Sequence, residues 1–494
     1  LENFEPDVEG GYRRMNGFRK FVNQIVPQTS AASERVIAVA NFSDKVIAAR
    51  GERIYNAGSS ELATAITATE TMSGSGVIKI NSVLGFTSSG TVQINSEAFT
   101  YTGINAAVSP NELTGVTRAA SSTTEAAHLG NVVVSTSWTQ IDTGRTNATK
   151  YRFERFNYNG TDKIVFVDEV NAPVVFDSSF NAVDVSNAAV SGSKFIASFK
   201  DHMFYAGKST TPEEVVFSVP FDEDNFGSGA GSIRVDDTIT GLKVFRDALF
   251  IFCENRIFKL TGVSESTFVM TPVTRSIGCL NGDTIQEFAG DLVFLGPDGL
   301  RTVAATAKIG DTELGTISKN VQSIFDANIR DSARFESVVI ADKTQYRIFF
   351  TKDGQAEGIT CVKKADGYEF SEIRGIKPTA TDTLVIAGDV LVLHGDNNGF
   401  IQRQEKGNTF DGTAVLGKYR SSDLSFGDTG IRKHMQRVIV NYKPESAIAA
   451  ELLVRYDNEN SDSTRPNPYT LDSSEVAAQF GSALFSTAGG AVRF

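Results

Sequence analysis

Two loop-like segments carry residues that could bind a phosphate or a metal ion. Gly207–Thr210 (GKST) ends like a phosphate-binding loop, but the position that needs the first glycine is His202. The cradle of backbone N–H groups therefore cannot form in that way. Asp222–Gly227 (DEDNFG) groups carboxylate and amide oxygens, yet Phe226 and the lack of a glutamate at the twelfth position exclude an EF-hand calcium loop. We therefore reject a phosphate-binding loop at Gly207–Thr210 and an EF-hand at Asp222–Gly227.

Histidine and cysteine are the other residue types with metal or nucleophile chemistry. His128 has no second histidine or carboxylate at ligand spacing, which favours a packing or hydrogen-bonding role over a metal or catalytic one. Of Cys253, Cys279 and Cys361, the first and last fall in apolar runs, where a buried reduced thiol acts as a small hydrophobe. No GxSxG, HExxH or zinc-spaced motif occurs. We predict no catalytic centre, no metal site and no cofactor, and we do not expect an enzyme.

The charge balance limits the partners that the chain can have. The net charge is -12 and the pI is near 5.1, so the surface as a whole repels nucleic acid and anionic membranes. This argues against a protein that reads DNA sequence, whereas a negative wall suits a channel through which DNA must slip without sticking. No apolar stretch approaches the roughly 20 residues of a membrane span, and we expect none.

A strand-turn-strand unit recurs along the chain and must form the scaffold that positions any site. It is clearest at Ala248–Leu260 and Asp291–Val303, where a run of large apolar residues precedes a turn and a second run. Because the first run is apolar at nearly every position, its strand is expected to be covered on both faces. Successive units begin roughly 39 to 54 residues apart, as in propeller blades of four short strands. Similar units are Lys45–Tyr55, Thr161–Phe176, Asp201–Phe217, Thr344–Val362 and Asp389–Gln402.

These patterns predict an all-β fold with an irregular β-propeller body of about six to eight blades. One helix is expected within Ala305–Asn328, with Ile317, Val321, Ile324 and Phe325 on one face. After Asp411 the repeat stops, and period-two strands indicate a β-sandwich-like domain at the C-terminal end. The predicted divisions are an N-terminal arm (1–34), a first blade (35–56), an inserted small β domain (57–135), the remaining blades (136–410) and a C-terminal β domain (411–494).

The predicted insert differs in amino-acid composition from the blades, because it is rich in Ser, Thr, Ala and Gly. Its alternating residues Val92, Ile94, Phe99 and Tyr101 predict a half-buried hairpin that turns at Ser96-Glu97. The pattern GxxxIxxExxxYTG, followed by LTGVTR and AAH, resembles a small module of tail and other structural proteins of tailed phages. Related modules usually continue with glycine after the arginine, so we expect a different turn where this chain has Ala119.

Basic residues near both ends of the chain are the candidate partner contacts. At the N-terminal end they accompany an aromatic residue, in the group Tyr12, Arg13 and Arg14. That segment is either an arm that docks on a neighbour or partner, or an irregular segment that closes the first blade with its charges in water. Near the C-terminal end, Arg432 and Lys433 either face a partner or a lumen, or are ordinary solvated strand edges.

Several segments, in this order, resemble the tail nozzle proteins of short-tailed phages, also called tail tubular protein B or the tail hub. They are GGYRRMNGFRKF, GLKVFRDALFIFCENRIFKLTG, SIGCLNGDTIQEFAGDLVFLGPDGLRTV and LSFGDTGIRKHMQRVIVNY. The resemblance implies a virion tail protein that forms a closed homo-oligomeric ring, usually of six subunits, below the portal and its adaptor proteins. The ring lumen would pass genomic DNA at ejection without sequence-specific binding, and tail fibres or tailspikes would attach nearby.

Two other functions are compatible with a propeller. A carbohydrate-binding or glycan-cleaving propeller that recognises a host surface would use loops such as Asp222–Gly231. An intracellular scaffold for peptides is the other possibility, but the Trp-Asp and kelch repeat signatures do not occur in this sequence.

Overall fold

The structure of the protein is a computed structural model, and it divides the chain into two units, Leu1–Lys418 and Tyr419–Phe494. The sequence places the start of the C-terminal domain near residue 410, and the structure divides the two units after residue 418. The residues that the structure describes are 1–6, 11–28, 35–304, 316–329, 332, 334–352, 355–365, 367–386, 389–422, 424, 426–427, 431, 437, 439–440, 449–455 and 468–472.

The first 142 residues contain a short N-terminal set of strands, a first blade and an insert within that blade. The N-terminal strands are β1 (Phe4–Pro6), β2 (Tyr12–Arg14) and β3 (Phe18–Lys20). Blade 1 consists of β4 (Ala38–Phe42), β5 (Lys45–Arg50), β6 (Arg53–Ala57) and, after the insert, β14 (Thr139–Asp142). The insert contains β7 (Ser59–Glu61), β8 (Ser73–Ile80), β9 (Gly90–Ile94), β10 (Glu97–Tyr101), β11 (Gly103–Asn105), β12 (Asn111–Ala120) and β13 (Val133–Thr136).

Six more antiparallel sheets follow in chain order. Blade 2 is β15 (Arg152–Tyr158), β16 (Thr161–Val167), β17 (Val174–Asp177) and β18 (Ala182–Asp184); blade 3 is β19 (Phe195–Phe199), β20 (His202–Lys208), β21 (Thr211–Phe217) and β22 (Gly231–Arg234). Blade 4 is β23 (Ile239–Phe245), β24 (Ala248–Cys253), β25 (Ile257–Thr261) and β26 (Val269–Thr274); blade 5 is β27 (Gln286–Phe288), β28 (Asp291–Gly296) and β29 (Gly299–Thr302). Blade 6 is β30 (Arg334–Ile340), β31 (Gln345–Lys352), β32 (Gln355–Lys364) and β33 (Gly367–Arg374); blade 7 begins with β34 (Ala380–Ile386), β35 (Asp389–Gly395) and β36 (Ile401–Gln404).

Seven blades form the propeller, within the predicted range of six to eight. Every residue of β24 is buried, as its continuous apolar run predicted. Seven apolar clusters separate consecutive blades, and the last one joins blade 7 back to blade 1 through residues such as Leu391 and Val39. Each large apolar side chain buried there stabilises the fold by about 1.5 to 3 kcal/mol. The blades therefore hold one another in a closed ring.

The ring is closed by the N-terminal segment, because β3 pairs antiparallel with β36 as the fourth strand of blade 7. Beyond it, β37 (Thr409–Phe410) and β38 (Thr413–Ala414) extend the same sheet. The aromatic side chain of Phe18 stacks on that of Phe410 and meets the imidazole of His394 edge-on. The distance between ring centroids is 5.1 Å in both contacts. The predicted alternative that this segment closes the first blade is therefore wrong in one respect, since the blade that it completes is the last one. Sequence spacing could not show this, because the pairing joins residues nearly 400 positions apart.

The insert is a small closed barrel on a two-stranded stem. Strands β7 and β13 pair with each other where β6 and β14 leave blade 1. The amide of Ala63 donates to Lys79 O at 2.8 Å, which joins the end of β7 to β8 and closes the sheet on itself. The predicted hairpin is confirmed as β9 and β10, but its two-residue turn is Asn95-Ser96, one position earlier than expected.

Two other predicted elements differ from the structure in extent. The helix α1 (Gln322–Ile329) follows a 3-10 turn at Lys319–Val321, so it begins later than predicted, and the part of the prediction at 305–315 lies outside the described residues. Phe325 is buried between blades 5 and 6, as the apolar face predicted. Other 3-10 turns are Glu265–Thr267, Gly282–Thr284 and Ala341–Lys343. In the second unit, β39 (Ala449–Leu452) pairs with β40 (Tyr469–Asp472), and most of the predicted β-sandwich lies outside the described residues.

Replacing Phe18 with alanine should weaken ring closure. The substitution removes the aromatic contacts that fasten β3 to blade 7, and we expect it to lower the free energy of unfolding by about 2 to 3 kcal/mol. Urea unfolding followed by fluorescence measures this change. Val183→Ala, on the exposed outermost strand of blade 2, is the matched control and should change little. Equal losses in the two variants would contradict the closing role of Phe18.

Candidate functional site

Charged side chains meet at the axis of the propeller, where the first strands of the blades surround a central space. Arg152, from blade 2, makes a two-fold contact with Asp283, which precedes the first strand of blade 5. Its Nε and Nη2 atoms donate to the two carboxylate oxygens of Asp283 at 2.7 and 2.8 Å. Such a bidentate pair is among the strongest hydrogen-bonded ion pairs in proteins. It ties together two blades that are not neighbours in the ring.

A second ion pair crosses the axis beside the first. Lys150 Nζ lies 2.6 Å from Glu336 Oε1 and 3.2 Å from Asp283 Oδ2. Although burial favours the neutral acid, Arg152 and Lys150 hold the pKa of Asp283 well below its usual range. For Glu336, burial prevails and raises the pKa in spite of Lys150. The two carboxyl groups therefore differ in acidity because one has two cationic partners at close range.

A third charged pair links blades 1, 2 and 7. Arg155 forms an ion pair with Asp382, and its Nε donates to Asn41 O at 2.7 Å. The same carboxylate accepts a hydrogen bond from the Asn41 amide at 2.7 Å. Glu154, the neighbour of Arg155 on β15, is half-buried, and the partial removal of its carboxyl group from solvent raises its pKa. The Arg152–Asp283 and Lys150–Glu336 pairs, by contrast, join opposite blades across the axis, so it is not an open tunnel at those residues.

A buried charged network fixes the N-terminal segment to blade 6 and to the end of β36. Glu5 is almost fully buried and accepts from Arg13 Nε at 2.8 Å, Lys343 Nζ at 2.7 Å and Arg347 Nη2 at 3.4 Å. Arg347 Nη2 also lies 2.6 Å from Glu405 Oε1. Despite burial, Arg347 and Lys343 lower the pKa of Glu405 to about 2. The network is therefore charged at neutral pH and contributes to ring closure.

The predicted partner contacts fall partly on this segment. Tyr12 and Arg13 lie on β2, and both side chains are more than two-fifths exposed while Arg13 also reaches Glu5. Arg14 is the last residue of β2 and is half-buried. Arg432 and Lys433 lie outside the described residues, so the structure brings together only the N-terminal three.

The polar residues of the module-like motif meet inside the barrel. Arg118 holds Glu97 with two hydrogen bonds of 2.9 Å, from Nε to Oε1 and from Nη2 to Oε2, and both side chains are fully buried. His128 Nε2 lies 2.8 Å from the same carboxylate, and its Nδ1 lies 3.1 Å from Asn95 Nδ2. An ionised carboxylate only accepts hydrogen bonds, so Nε2 carries the proton and Nδ1 accepts from Asn95. His128 is a buried hydrogen-bonding residue, in agreement with its interpretation from the sequence.

This charged centre also organises the backbone around it. The Ala126 amide donates to Glu97 at 2.9 Å, and Arg118 Nη1 donates to Thr67 O at 2.7 Å. Burial alone would favour the neutral acid, but the bonds from Arg118, His128 and Ala126 lower the pKa of Glu97 to about 2. Through these bonds the Glu97 carboxylate and Arg118 connect strands β10 and β12 with the loops that contain Thr67 and Ala126.

The acidic loop between β21 and β22 is a surface feature of blade 3. Asp222 and Asp224 share a hydrogen bond, which lowers the pKa of Asp222 and raises that of Asp224. Asn225 Nδ2 donates to Asp222 at 3.2 Å, and nearby Phe221 is about half exposed. Among the described residues, no group of three or more His, Cys, Asp or Glu side chains is arranged to hold a metal ion.

The three cysteines are buried thiols and belong to no site among the described residues. Cys253, Cys279 and Cys361 are buried free thiols, as predicted for the first and last of them. Burial raises the pKa of Cys253 and of Cys279 to about 12. Within the described part of the chain, no helix is both long and apolar enough to cross a membrane.

The predicted site residues include Arg13, which contacts Glu5, but they do not include the charged residues of the axis, Glu5 itself, or its partners Lys343 and Arg347. Lys150, Arg152 and Asp283 lie at or just before the first strands of their blades, whereas Glu5 lies in a short strand outside the repeat. A charged residue at or just before the first strand of a blade is the signal in the sequence that marks the axial group. Its meaning depends on knowing which strand of each blade is innermost.

Comparison with known proteins gives a likeness of fold. No protein-family profile matches the chain, and no curated protein matches it. The C-terminal WD40 domain of Sif2 is 10% identical, and the alignment covers 79% of this chain and 99% of that one with a TM-score of 0.36. The Neurospora crassa Pan2 WD40 domain is 7% identical over 70% of this chain and 90% of that one, with a TM-score of 0.33. The AfRom2 CNH domain is 10% identical over 79% of this chain and 100% of that one, with a TM-score of 0.30.

Replacing Glu97 with glutamine should destabilise the protein at neutral pH by about 3 kcal/mol, because Arg118 stays buried without its counter-charge. The folded-state pKa of Glu97, about 2, lies below its ordinary value of 4.5. Its stabilising contribution is therefore complete above about pH 4.5 and is lost as the pH falls towards 2. Urea unfolding at pH 7 and pH 3 should show a smaller difference between wild type and variant at pH 3. Glu112→Gln, in the same barrel, is the control, and equal stability of Glu97→Gln and wild type at pH 7 would refute the role of this pair.

Ala119→Gly should stabilise the barrel. Ala119 has a φ of +52°, a left-handed conformation that costs a residue with a Cβ atom about 1 kcal/mol. Glycine adopts it without that cost, so thermal unfolding should shift upwards. Ala120→Gly, at the next position of the same strand, should instead destabilise by about 0.5 to 1 kcal/mol. A loss of stability in both variants would mean that the left-handed turn is not strained.

Proposed function

We propose that the protein is a structural subunit of the tail nozzle of a short-tailed phage. Copies of the chain would form a closed ring, of six subunits in the resembling family, below the portal and its adaptor. The ring would be a gated conduit for DNA ejection into the host, located in the virion tail. Tail fibres or tailspikes would be neighbouring partners.

The observation that carries this proposal is the ordered series of segments that resembles the nozzle family. The first segment contains β2 and β3, of which β3 closes the ring. The second, Gly241–Gly262, supplies β24 and β25 of blade 4, and the third, Ser276–Val303, supplies blade 5. The second and third segments therefore fall on neighbouring blades, and the first supplies the strand that completes blade 7. The fourth, Leu424–Tyr442, lies mostly outside the described residues.

The geometry of the axis supports a specific form of this conduit. Ion pairs such as Arg152–Asp283 bridge the axis of a single propeller, so DNA would pass between subunits and not through one chain. A closed ring of identical subunits uses two different, complementary faces of each subunit. The overall charge of -12 suits a lumen along which DNA slides without binding.

A glycan-recognition propeller is the second candidate, and one observation favours it. The loop with Asp222 and Asp224 places two hydrogen-bonded carboxyl groups beside the exposed ring of Phe221. Carboxylates next to an aromatic surface are the kind of groups that position a sugar. Loss of glycan binding in an Asp222→Ala, Asp224→Ala double variant would favour this function, and an absence of glycan binding in the wild type would remove it.

The nozzle proposal predicts assembly. Light scattering and negative-stain electron microscopy of the purified protein, alone and with tail adaptor, should show a ring with a central hole. Arg14→Glu together with Tyr12→Ala should weaken assembly if the N-terminal strands contact a neighbour, without changing the thermal unfolding of the subunit. Arg234→Glu, at an exposed position on the outermost strand of blade 3, is the control for reversed charge.

A subunit that stays monomeric at high concentration and does not bind the adaptor would overturn the nozzle proposal. If rings form and the Arg14→Glu, Tyr12→Ala variant assembles normally, the nozzle function stands and the N-terminal contact is wrong.

A further inference from the structure

One end of the propeller axis is rich in positive charge although the chain is acidic as a whole. The first strands of all seven blades begin at this end, because each blade is a meander whose first strand is innermost. At five of the seven, a basic residue lies at the first position of the strand or within the three residues before it. These residues are Arg35, Lys150, Lys194, Arg334 and Lys377.

Hydrogen bonds bring three of these residues together. Arg35 Nη2 donates to Thr149 O at 2.7 Å, which places Arg35 beside Lys150. The Lys150 ammonium reaches Glu336 at 2.6 Å. Glu336 is two positions from Arg334 on β30, and residues at that spacing share a face of a strand. Burial lowers the pKa of Arg334, and the positive charge of Arg35 nearby lowers it further.

The charges of the group around Lys150 do not cancel. In this group, Arg35, Lys150, Arg152 and Arg334 provide four positive charges, whereas Asp283 and Glu336 provide two negative ones, which leaves two positive charges. Lys194 and Glu169 lie 3.3 Å apart and balance each other.

The two arginines also have unused hydrogen-bonding capacity. Among the described residues, the buried Nε of Arg35 and Nη1 of Arg334 have no hydrogen-bond partner. A buried N–H group without an acceptor is costly, and more so on a charged group. Guanidinium groups bind oxyanions with several N–H donors at once. Two excess charges together with two unused donors match an anion that carries two negative charges and several acceptor oxygens.

We propose that this end of the axis binds a phosphate dianion between Arg35 and Arg334, with Lys150 adding its charge. A phosphate monoester or free phosphate carries close to two negative charges near neutral pH. The ligand is therefore inorganic phosphate or the terminal phosphate of a larger molecule. The site lies within one subunit and does not depend on the nozzle function.

Thermal unfolding and titration calorimetry with inorganic phosphate test this site. At matched ionic strength, phosphate should raise the unfolding temperature more than acetate, and acetate no less than chloride. Calorimetry should give one site per chain. No greater stabilisation by phosphate than by chloride would overturn the proposal, and equal effects of phosphate and acetate would overturn the selection for a dianion.

Variants locate the site. Arg35→Gln and Arg334→Gln should each weaken phosphate binding about tenfold, the equivalent of one charge-assisted hydrogen bond. Arg334→Lys keeps the charge without the planar fork and should lose less. Arg234→Gln, on the outermost strand of blade 3, should bind like wild type. Unchanged binding in both Arg35→Gln and Arg334→Gln would place the phosphate elsewhere and refute the site, while Arg334→Lys, with its charge retained, guards against a general loss of folding.

A further comparison distinguishes the sources of the phosphate. A dinucleotide with a 5′ phosphate and the same dinucleotide without it are the probes. Binding of inorganic phosphate alone would identify a small-anion site, and equal or tighter binding of the phosphorylated dinucleotide would identify a site for a nucleic-acid end. Equal binding of the two dinucleotides, with no binding of inorganic phosphate, would contradict recognition of a phosphate dianion.

Discussion

Closure of the propeller by β3 is the interaction on which the rest of the unit depends. Apolar clusters between blades form a continuous ring only if blade 7 meets blade 1, and blade 7 obtains its fourth strand from the N-terminal segment. Strand pairing and the buried network around Glu5 both act on this one segment. The entropic cost of joining distant ends grows only slowly with the length between them, so a short strand with a few buried charges is sufficient.

The barrel follows a different principle, because it is organised by charge at its centre. Its stem continues two strands of blade 1, so it leaves the propeller without breaking the ring. Asn23, just after β3, donates to Gln93 O at 2.9 Å and to Val133 O at 2.8 Å. The closing segment thus contacts blade 7 and the barrel together. A substitution that displaces this segment would therefore weaken its contacts with both blade 7 and the barrel.

One end of the axis combines two tasks. Ion pairs across it hold opposite blades at fixed distances, and Lys150 belongs both to these ion pairs and to the cationic group beside them. The cationic end, where Arg35 and Arg334 retain unused donors, is the place on the axis with capacity for an anion. A conduit for DNA then has to lie between subunits, where the acidic surface is an advantage.

The sequence by itself determined the strands, their repetition as blades and the hairpin of the insert, because these depend on the local alternation of apolar residues and on turns. It also indicated that His128 serves packing and hydrogen bonding. The tertiary structure alone decided which strand closes the ring and which charges meet. Arg152 and Asp283 are 131 positions apart, and Lys150 and Glu336 are 186 apart. A period of two shows which residues share a face of a strand, but the direction in which that face points is decided only when the blades assemble around the axis.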